Sequence, residues 1–426
     1  MKSLDQIAAE LQGYDPQALS ASAVNTFLAE LVSPVADTAA VGVFDALGRV
    51  LAEDVVSPIS VPPHDNSAMD GYALDGAQLR AGQALSLRVL DGTAFAGKAW
   101  AGHVAPGECV KIMTGAIMPA GLDTVVPQEL TQATEGGITI PAGALQRGDN
   151  RRLLGEDLLA GRPALRAGTQ LGPAALGLIA SLGLPTVTVF RRLKVAYFST
   201  GDEILSLGEP PREGAVYDSN RYTVYGLLTR LGVEVIDMGV VKDDPATLEA
   251  AFRRAATQAD AIITSGGVSV GEADHTKAMM KKLGDVAFWR IAMRPGRPMA
   301  VGRLNNCAVM FGLPGNPVAV MVTFLAFVRP ALLKLMGVAD VAAHTPPLLK
   351  AHSLEPLRKK PGRTEYQRGT VSTAPDGTLQ VRTTGNQGSG VLSSMVQGNG
   401  LIVLHHGQGN VAVGDEVDVM VFDGVI

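Results

Sequence analysis

Cysteine, histidine and aromatic residues are all scarce in this chain of 426 residues, which has 2 cysteines, 7 histidines and 5% aromatic residues. Cys109 and Cys307 lie far apart, and neither belongs to a C-x-x-C pair. The sequence therefore predicts buried free thiols in a reducing compartment rather than a structural zinc site or a redox dithiol. The histidines form no H-x-x-x-H or H-E-x-x-H pattern, so no histidine-based zinc centre is predicted.

The chain also lacks an excess of positive charge and a long hydrophobic segment. Its 36 Lys and Arg residues are outnumbered by 41 Asp and Glu residues, for a net charge of −5, so no global basic field attracts nucleic acid and an anionic substrate needs a local basic pocket. The longest apolar run, 318–328, is about half of the roughly 20 residues that span a bilayer, which predicts a buried helix. Residues 1–15 include acids and no apolar segment of a secretory signal. We expect a cytoplasmic protein with neither nucleic acid nor membrane as a partner.

The length predicts two to four domains. From 195 to about 335, short apolar runs alternate with helical segments, which predicts a central doubly wound, mostly parallel α/β domain with helices on both faces. Turn-rich sequence before it predicts an inserted β domain, and alternating apolar residues near the end predict a C-terminal β-barrel. The expected domains are a discontinuous helical module at 1–56 and 158–190, the inserted β domain at 57–157, the α/β domain at 191–338 and the β-barrel at 345–426.

Acidic residues occupy the loops that would follow the parallel strands. Because the carboxyl ends of parallel strands lie at one edge of a sheet, six carboxylates are expected to converge there: Asp202, Glu203, Asp243, Asp244, Glu272 and Asp274. Crowded carboxylates repel one another unless a cation lies among them, which favours Mg²⁺. The alternative is that single acids, such as Asp243 or Asp274, are helix N-caps.

A glycine pair after a short apolar run carries the strongest indication of a phosphate site. Ser265, Gly266 and Gly267 follow in order, and two adjacent glycines allow a tight turn whose N–H groups approach an anion closely. Glu272 and Asp274 follow this turn and offer the hard oxygen ligands of a Mg²⁺ ion that accompanies a phosphate.

Four cationic residues come after this turn: Lys277, Arg290, Arg294 and Arg297. Prolines and a glycine between 295 and 298 predict an irregular segment that presents guanidinium groups to a phosphate or oxyanion, which arginine binds bidentately. A solvated basic loop is the alternative. The L-P-G-N-P turn at 313–317 is rigid, and its second proline is suited to the first turn of a helix.

The predicted β domain contains polar, turn-rich segments around Asp65 and Thr114. Asx-type turns are a sufficient explanation of the first segment, and an ordinary hydroxyl at a strand end explains the second. Taken alone, neither segment indicates a function.

Seven segments in order resemble the molybdopterin molybdenumtransferase family, the molybdenum-insertion enzymes of molybdenum-cofactor biosynthesis, over essentially the whole chain after about residue 20. These segments are D-N-S-A-M-D-G-Y-A (65–73), I-M-T-G-A (112–116), G-E-D (155–157), S-T-G-D-E (199–203), S-G-G-V-S-V-G-E-A-D (265–274), R-P-G-R-P (294–298) and L-P-G-N-P (313–317). The resemblance implies four domains, an elongated homodimer and an α/β domain related to the molybdopterin adenylyltransferase fold. It also implies the reaction, in which molybdate is inserted into adenylylated molybdopterin with Mg²⁺-dependent release of AMP, and a molybdopterin adenylyltransferase as functional partner.

The resemblance further implies roles for individual residues. Three carboxylates are expected to bind metal and substrate: Glu203, Asp243 and Asp274. Three further catalytic residues are expected from the β domain of the partner subunit: Asp65, Thr114 and Asp157. The expected substrate-binding residues are Ser265, Gly266, Gly267, Lys277, Arg290, Arg294, Arg297, Pro314 and Pro317.

The chain departs from the family pattern at two places. Many members carry lysine where it has Arg290, Arg294 and Arg297, which keeps the charge and changes the geometry of oxyanion binding. His64 stands where an aromatic residue is common. Two other functions stay open: a scaffold, because the E domain of gephyrin shares this architecture, and a different phosphotransfer enzyme on the same α/β fold. The segment at 65–73 argues against the second, and the absence of a gephyrin-like linker or fused adenylyltransferase domain argues against the first.

Overall fold

The computed structural model describes residues 2–268, 275–304, 308–422 and 424–426. The chain forms two compact units. Unit 1 contains residues 1–53, 167–172 and 186–426, and unit 2 contains residues 54–166 and 173–185. Within the described ranges, the α-helices are α1 (Leu4–Glu10), α2 (Ala21–Leu31), α3 (Pro173–Ser181), α4 (Ser219–Leu231), α5 (Pro245–Gln258), α6 (His275–Leu283), α7 (Pro317–Thr323), α8 (Arg329–Leu335) and α9 (Ser393–Gln397).

The strands fall into three groups along the chain. The first group is β1 (Thr38–Gly42), β2 (Val55–Val56), β3 (Asn66–Ser67), β4 (Gly71–Leu74), β5 (Leu85–Ala94), β6 (Glu108–Ile112), β7 (Thr124–Pro127), β8 (Gln132–Thr134), β9 (Gly137–Ile140), β10 (Arg151–Arg152), β11 (Pro163–Leu165) and β12 (Thr186–Phe190). The second is β13 (Lys194–Thr200), β14 (Ile204–Leu205), β15 (Val216–Tyr217), β16 (Glu234–Val241), β17 (Ala261–Ser265), β18 (Gly284–Arg290), β19 (Met293–Arg294), β20 (Pro298–Leu304) and β21 (Val309–Leu313). The third is β22 (Leu348–Ser353), β23 (Thr364–Thr373), β24 (Leu379–Thr383), β25 (Gly400–Leu404) and β26 (Glu416–Val421).

A six-stranded sheet in the order β16-β13-β17-β21-β20-β18 forms the centre of unit 1. Its first four strands are parallel to one another. Strand β20 runs antiparallel to both of its neighbours, β21 and β18. Successive side chains of β13 point to opposite faces: Tyr197 packs with α4 and α7, whereas Phe198 packs with α5 and α6. The predicted doubly wound, mostly parallel α/β domain is confirmed, and the antiparallel edge is an addition that the helix–strand alternation does not indicate.

The helix that follows β21 is longer than the apolar run in the sequence suggests. It continues from α7 through a π-helical segment at Phe324–Val328 into α8, and its 19 residues have a mean hydropathy of 1.9. By length and composition alone it could cross a membrane, but 78% of this stretch is buried inside the protein. The helix is therefore a core element of unit 1, in agreement with the predicted buried helix.

The C-terminal strands close into a barrel. The order β23-β24-β22-β26-β25 returns to β23 through a second pairing, so each of these five strands has two neighbours and no edge is left open. Strand β19 adds to this barrel by pairing in parallel with β23. The predicted C-terminal β-barrel is confirmed, and β19 attaches it to the α/β domain inside unit 1.

Unit 2 is built on a six-stranded sheet in the order β7-β4-β6-β5-β9-β8. Apolar side chains fill both of its faces: Ala73 and Ile112 belong to one buried cluster, and Leu74 and Val126 to another. This is the predicted inserted β domain. The chain segments that flank it in sequence meet in unit 1, where β1 and β12 pair in an antiparallel ladder.

Candidate functional site

The loops at the carboxyl ends of the parallel strands lie along one edge of the unit 1 sheet. Ser199 pairs with Ser265, Ser265 pairs with Leu313, and Thr200 pairs with Val241. This register places the loops after β13, β16, β17 and β21 side by side, which is where open α/β sheets bind ligands.

The glycine pair forms a tight turn at the centre of this edge. Gly266 and Gly267 have φ angles of +89° and +66°, a region that favours glycine. A Cβ atom at Gly266 would lie 2.4 Å from the carbonyl oxygen of Thr200, and one at Gly267 would lie 2.5 Å from Cβ of Thr276. Only glycine fits at both positions, and the backbone N of Gly266 donates to the carbonyl of Leu313 at 3.2 Å.

The Ser265 side chain is part of a buried cluster of three hydroxyls. The Tyr197 hydroxyl lies 2.9 Å from Ser199 Oγ and 2.7 Å from Ser265 Oγ, and the two serines are 3.2 Å apart. Burial raises the pKa of Tyr197 above its ordinary value, so the phenol stays protonated. The Ser265 hydroxyl is therefore engaged inside the protein, and the Ser265 backbone pairs with β13 and β21.

The carboxylates of the edge have different surroundings. Asp244 is the N-cap of α5 and accepts from Thr247 N at 3.0 Å, and this contact with Thr247 lowers the pKa of Asp244. Asp243 is half-buried, and its Oδ1 lies 3.4 Å from the hydroxyl of Thr276 at the start of α6. Glu203 is exposed, and its carboxylate lies over Gly201. The capping alternative was raised for Asp243, but the N-cap of α5 is its neighbour Asp244.

The expected metal site is only partly within the described residues, because Glu272 and Asp274 lie outside them. Among the residues that the structure does describe, no group of three His, Cys, Asp or Glu side chains is placed to hold a metal ion. Mg²⁺ is usually held by one or two carboxylates together with substrate phosphates. The hard oxygens of Glu203 and Asp243 beside a glycine turn fit that type of site.

The basic segment is more ordered than predicted. Arg290 is the last residue of β18, Arg294 belongs to β19, and Arg297 lies in the turn before β20. The prediction of an irregular segment was wrong for Arg290 and Arg294. Arg290 pairs with Pro298 in the antiparallel ladder of β18 and β20, and Arg294 precedes Pro295, a position that prefers extended backbone. All three side chains are exposed, and none of the three guanidiniums has a hydrogen bond or ion pair within the described ranges. Lys277 is half-buried in the first turn of α6.

Arg368 of the barrel is a candidate site residue that the sequence did not indicate. It is 1% exposed, and its guanidinium donates to Ser394 Oγ at 2.9 Å and to the carbonyl of Gly388 at 3.0 Å. No carboxylate of the described chain pairs with it, and burial together with the charge of Arg294 lowers the pKa of Arg368 to about 10. Arg368 also donates to the carbonyl of Asn386 at 3.3 Å, so it is an internally bonded cation near the exposed Arg294.

A series of contacts joins Arg368 to the glycine turn. The Gly388 carbonyl accepts from Arg368, and the next residue, Ser389, accepts from Val318 N at 3.1 Å. Val318 lies in the first turn of α7, directly after the turn that contains Pro314 and Pro317. A Cβ atom at Gly315 of this turn would lie 4.0 Å from the Cα atom of Gly266.

Asp218 and Asn220 are two further polar residues at this edge that the sequence did not single out. Asp218 caps α4 through Oδ1, and Asn220 Nδ2 donates to the carbonyl of Gly315 at 2.7 Å. Both side chains are buried, and Asp218 Oδ2 and Asn220 Oδ1 have no hydrogen-bond partner among the described residues. Buried acceptors of this kind are normally satisfied, which makes these two oxygens exceptions within the described chain.

In unit 2, the three motif segments at 65–73, 112–116 and 155–157 lie close to one another. Asp65 Oδ1 accepts from Leu154 N at 2.8 Å, and its Oδ2 lies 3.5 Å from Arg151 Nη1. Thr114 donates to Asp70 Oδ1 from both its backbone N and its hydroxyl, each at 2.7 Å, and these bonds lower the pKa of Asp70.

Two further residues of unit 2 were singled out from the sequence. Asp157 is exposed, and its backbone N donates to Val61 O at 3.1 Å. Cys109 is buried, as predicted, and burial raises the pKa of its thiol to about 12. Cys307 lies outside the described residues.

Comparisons with known proteins cover nearly the whole chain. Residues 19–183 match the MoeA N-terminal region (domain I and II), residues 196–334 match the probable molybdopterin binding domain, and residues 350–422 match the MoeA C-terminal region (domain IV). A molybdopterin molybdenumtransferase of Haemophilus influenzae is 43% identical over 90% of this chain and 93% of its own length. One from Nostoc is 38% identical over 90% of this chain and 88% of its own length.

Solved structures agree with these sequence matches. A molybdopterin biosynthesis MoeA protein from Pyrococcus horikoshii superposes with a TM-score of 0.79 at 27% identity, over 95% of this chain and 100% of its own. The matched ranges include every residue of the carboxyl edge described above. The chain belongs to the molybdopterin molybdenumtransferase family, whose members are enzymes of molybdenum-cofactor biosynthesis.

Proposed function

We propose that this enzyme inserts molybdenum from molybdate into adenylylated molybdopterin, with Mg²⁺-dependent release of AMP. The observation that carries the proposal is the pair Arg290 and Arg294, two exposed guanidiniums without a hydrogen bond or ion pair within the described ranges. Arg294 lies near the buried Arg368, which is connected through the start of α7 to the turn at Gly266 and Gly267. Two guanidinium groups can bind a tetrahedral dianion, and backbone N–H groups of a glycine turn can bind a phosphate. Molybdate and tungstate meet the first requirement equally, since both are tetrahedral dianions of similar size.

Cleavage of the phosphoanhydride bond places negative charge on the departing AMP phosphate. Cations and N–H groups that are already oriented stabilise such charge without further reorganisation. Arg290 and Arg297 are exposed and without ion pairs in the described ranges, so their charge is available to the substrate together with that of Arg294. Lys277 and the backbone of the Gly266–Gly267 turn would hold the phosphates.

A magnesium ion is the expected resident metal. When bound, it would neutralise charge on the phosphate oxygens and favour departure of AMP. Glu203, Asp243 and Asp274 would hold it, since hard carboxylate oxygens are the ligands that Mg²⁺ prefers.

We infer that a homodimer completes the site. Asp65, Thr114 and Asp157 would reach the substrate from unit 2 of the partner subunit, and the internal bonds of Asp65 and Thr114 would hold the backbone of that loop cluster in place. A cytoplasmic location and supply of the intermediate by a molybdopterin adenylyltransferase follow from this substrate, because a labile adenylylated intermediate requires a nearby producer.

The experiment is an AMP-release assay. Purified chain is mixed with adenylylated molybdopterin, molybdate and Mg²⁺, and AMP is quantified by chromatography while bound molybdenum is measured by elemental analysis. We expect both products, and neither after chelation of Mg²⁺. Ordered protein that leaves the substrate intact, when a known relative consumes the same preparation, would refute the proposal. Light scattering tests the dimer separately, since a monomeric mass excludes the contribution of a partner subunit.

A further inference from the structure

A cavity of about 1050 Å³ lies in unit 1, away from the strand-end loops. Its walls come from α2, from the helix that runs through the π-helical segment into α8, and from the strands of the barrel. Leu28, Leu325, Val403 and Met420 contribute to a largely apolar lining. None of the candidate catalytic or substrate-binding residues named above lines it, so the proposed reaction does not explain it.

The charged residues of the lining all have one sign. Arg329 and Lys334 contribute cations, and the described lining contains no Asp or Glu. His405 and His406 also line the cavity, but His405 Nε2 lies 2.5 Å from Asp418 Oδ2, so this imidazole already has an acidic partner. The chain as a whole has more acidic than basic residues, 41 against 36. An apolar cavity with local positive charge in an acidic protein is complementary to a ligand that is both apolar and anionic.

Arg329 is the cation best placed to receive an anionic group. Its side chain is half-buried, and Nη1 donates to the carbonyl of His344 at 2.7 Å. This is the only hydrogen bond of its guanidinium within the described ranges, and no carboxylate pairs with it there. Desolvation lowers the pKa of Arg329, so the charge is held in a poorly hydrated place, where an anion restores favourable electrostatics. Lys334, by contrast, bonds to the carbonyl of Ala29.

We propose that this cavity binds a small amphipathic anion, an aliphatic chain or ring that carries a single carboxylate or sulfonate, with the acid group on Arg329 and the apolar body against α2 and the barrel. A small molecule is favoured over a protein segment because the cavity volume, about 1050 Å³, is close to the upper limit of the roughly 300–1,000 Å³ of small-molecule pockets. A ligand with a single acid group is favoured because Arg329 offers a single half-buried guanidinium to pair with it.

The proposal is tested by comparing two ligands with a ten-carbon chain, the anion decanoate and the cation decyltrimethylammonium. Isothermal titration of the full-length protein with decanoate, below its micelle concentration, should show binding at least about tenfold tighter than with decyltrimethylammonium, a difference of about 1.4 kcal/mol. Equal affinity for the two amphiphiles, or no binding of decanoate, would overturn the proposal, since the positive lining would then have no role in selecting a ligand.

Two variants locate the ligand. Arg329→Gln should weaken decanoate binding at least about tenfold, and Ala326→Phe, which fills the cavity from the π-helical segment, should abolish it. Arg254→Gln removes one exposed arginine from α5, outside the cavity, and should leave the affinity unchanged. Unchanged binding in both cavity variants would place the ligand elsewhere and overturn the proposal. If Arg329→Gln fails to fold, Ala326→Phe and the comparison of the two amphiphiles still decide the matter.

A second copy of the chain is the competing occupant. Light scattering with and without saturating decanoate separates the two cases, because a cavity filled by another subunit would release that subunit when decanoate enters or when Ala326→Phe blocks it. We expect an unchanged mass in both measurements. A loss of mass in either would assign the cavity to subunit contact and overturn the small-molecule site.

Discussion

The carboxyl edge of the unit 1 sheet and the polar segments of unit 2 are both rich in charged and hydroxyl side chains, but these side chains have different partners. In unit 2, Asp65 bonds to Leu154 N and Thr114 bonds twice to Asp70. At the edge in unit 1, Arg290 and Arg294 have no hydrogen bond or ion pair within the described ranges. The first set maintains the shape of its loops, whereas the second keeps its charge available for a ligand.

The largest effect is expected from removing an arginine that has no internal partner. Arg294→Ala should lower the rate of AMP release about 100-fold, about 2.7 kcal/mol in activation free energy, because the proposed function assigns its charge to the substrate. The melting temperature should stay within about 1 °C, since an exposed side chain without partners contributes little to stability. Steady-state kinetics and calorimetry measure the two quantities.

The matched control for Arg294→Ala is Arg254→Ala, which removes the same charge from an exposed position on α5. It should retain full activity. If both variants lose activity equally, the net charge of the protein rather than the local anion site is responsible. The claim that the unpaired arginines of unit 1 serve the substrate would then be wrong.

Asp274→Asn should have the next largest effect. The substitution keeps the size of the side chain and removes a negative charge from the proposed magnesium site, so turnover should fall at least about tenfold, about 1.4 kcal/mol in activation free energy. The apparent affinity for Mg²⁺, from a titration of the rate, should fall as well. Asp244→Asn is the comparison, because Asp244 caps α5 and an Asn cap is nearly equivalent. Wild-type turnover in Asp274→Asn would remove this residue from the site.

Thr114→Val examines unit 2, where an effect on stability should accompany any effect on turnover. The substitution removes the hydroxyl bond to Asp70 and leaves the bond from the Thr114 backbone N. At pH 7 the melting temperature should fall by a few degrees. Because these bonds lower the pKa of Asp70 in the folded state, their contribution is present above the ordinary carboxyl pKa and disappears as pH falls through the lowered value.

The difference in melting temperature between wild type and Thr114→Val should therefore shrink in acid, which scanning fluorimetry at several pH values measures. Thr139→Val is the control for loss of a bonded hydroxyl outside the motif segments, because Thr139 is half-buried on β9 and its hydroxyl lies 2.9 Å from Ser86 Oγ. A difference that grows in acid would contradict the assigned role of Asp70.

The sequence was sufficient for the α/β core because buried strands such as β17 and amphipathic helices such as α5 show their own periodicity. It was not sufficient for β18 and β20, which form an antiparallel edge after an otherwise parallel pattern. The role of Arg368 depends on the pairing of β19 with β23, two segments about 70 residues apart, so no local pattern reveals it. The acids at 202–203 and 243–244 were predicted as one set, yet capping of α5 separates Asp244 from the others.

The smallest effect is expected for Tyr197 of unit 1, which has internal hydrogen-bond partners, as the polar side chains of unit 2 do. Tyr197 lies under the carboxyl edge, but its hydroxyl bonds internally to Ser199 and Ser265. Tyr197→Phe should lower the free energy of unfolding by about 1 kcal/mol, the usual net value of a buried neutral hydrogen bond, because the two serines still contact each other at 3.2 Å. Turnover should change less than about twofold, as measured by AMP release beside denaturant unfolding. A large loss of turnover without a loss of stability would show that this cluster acts on the substrate, and the distinction between internally bonded and available side chains would then fail at the centre of the site.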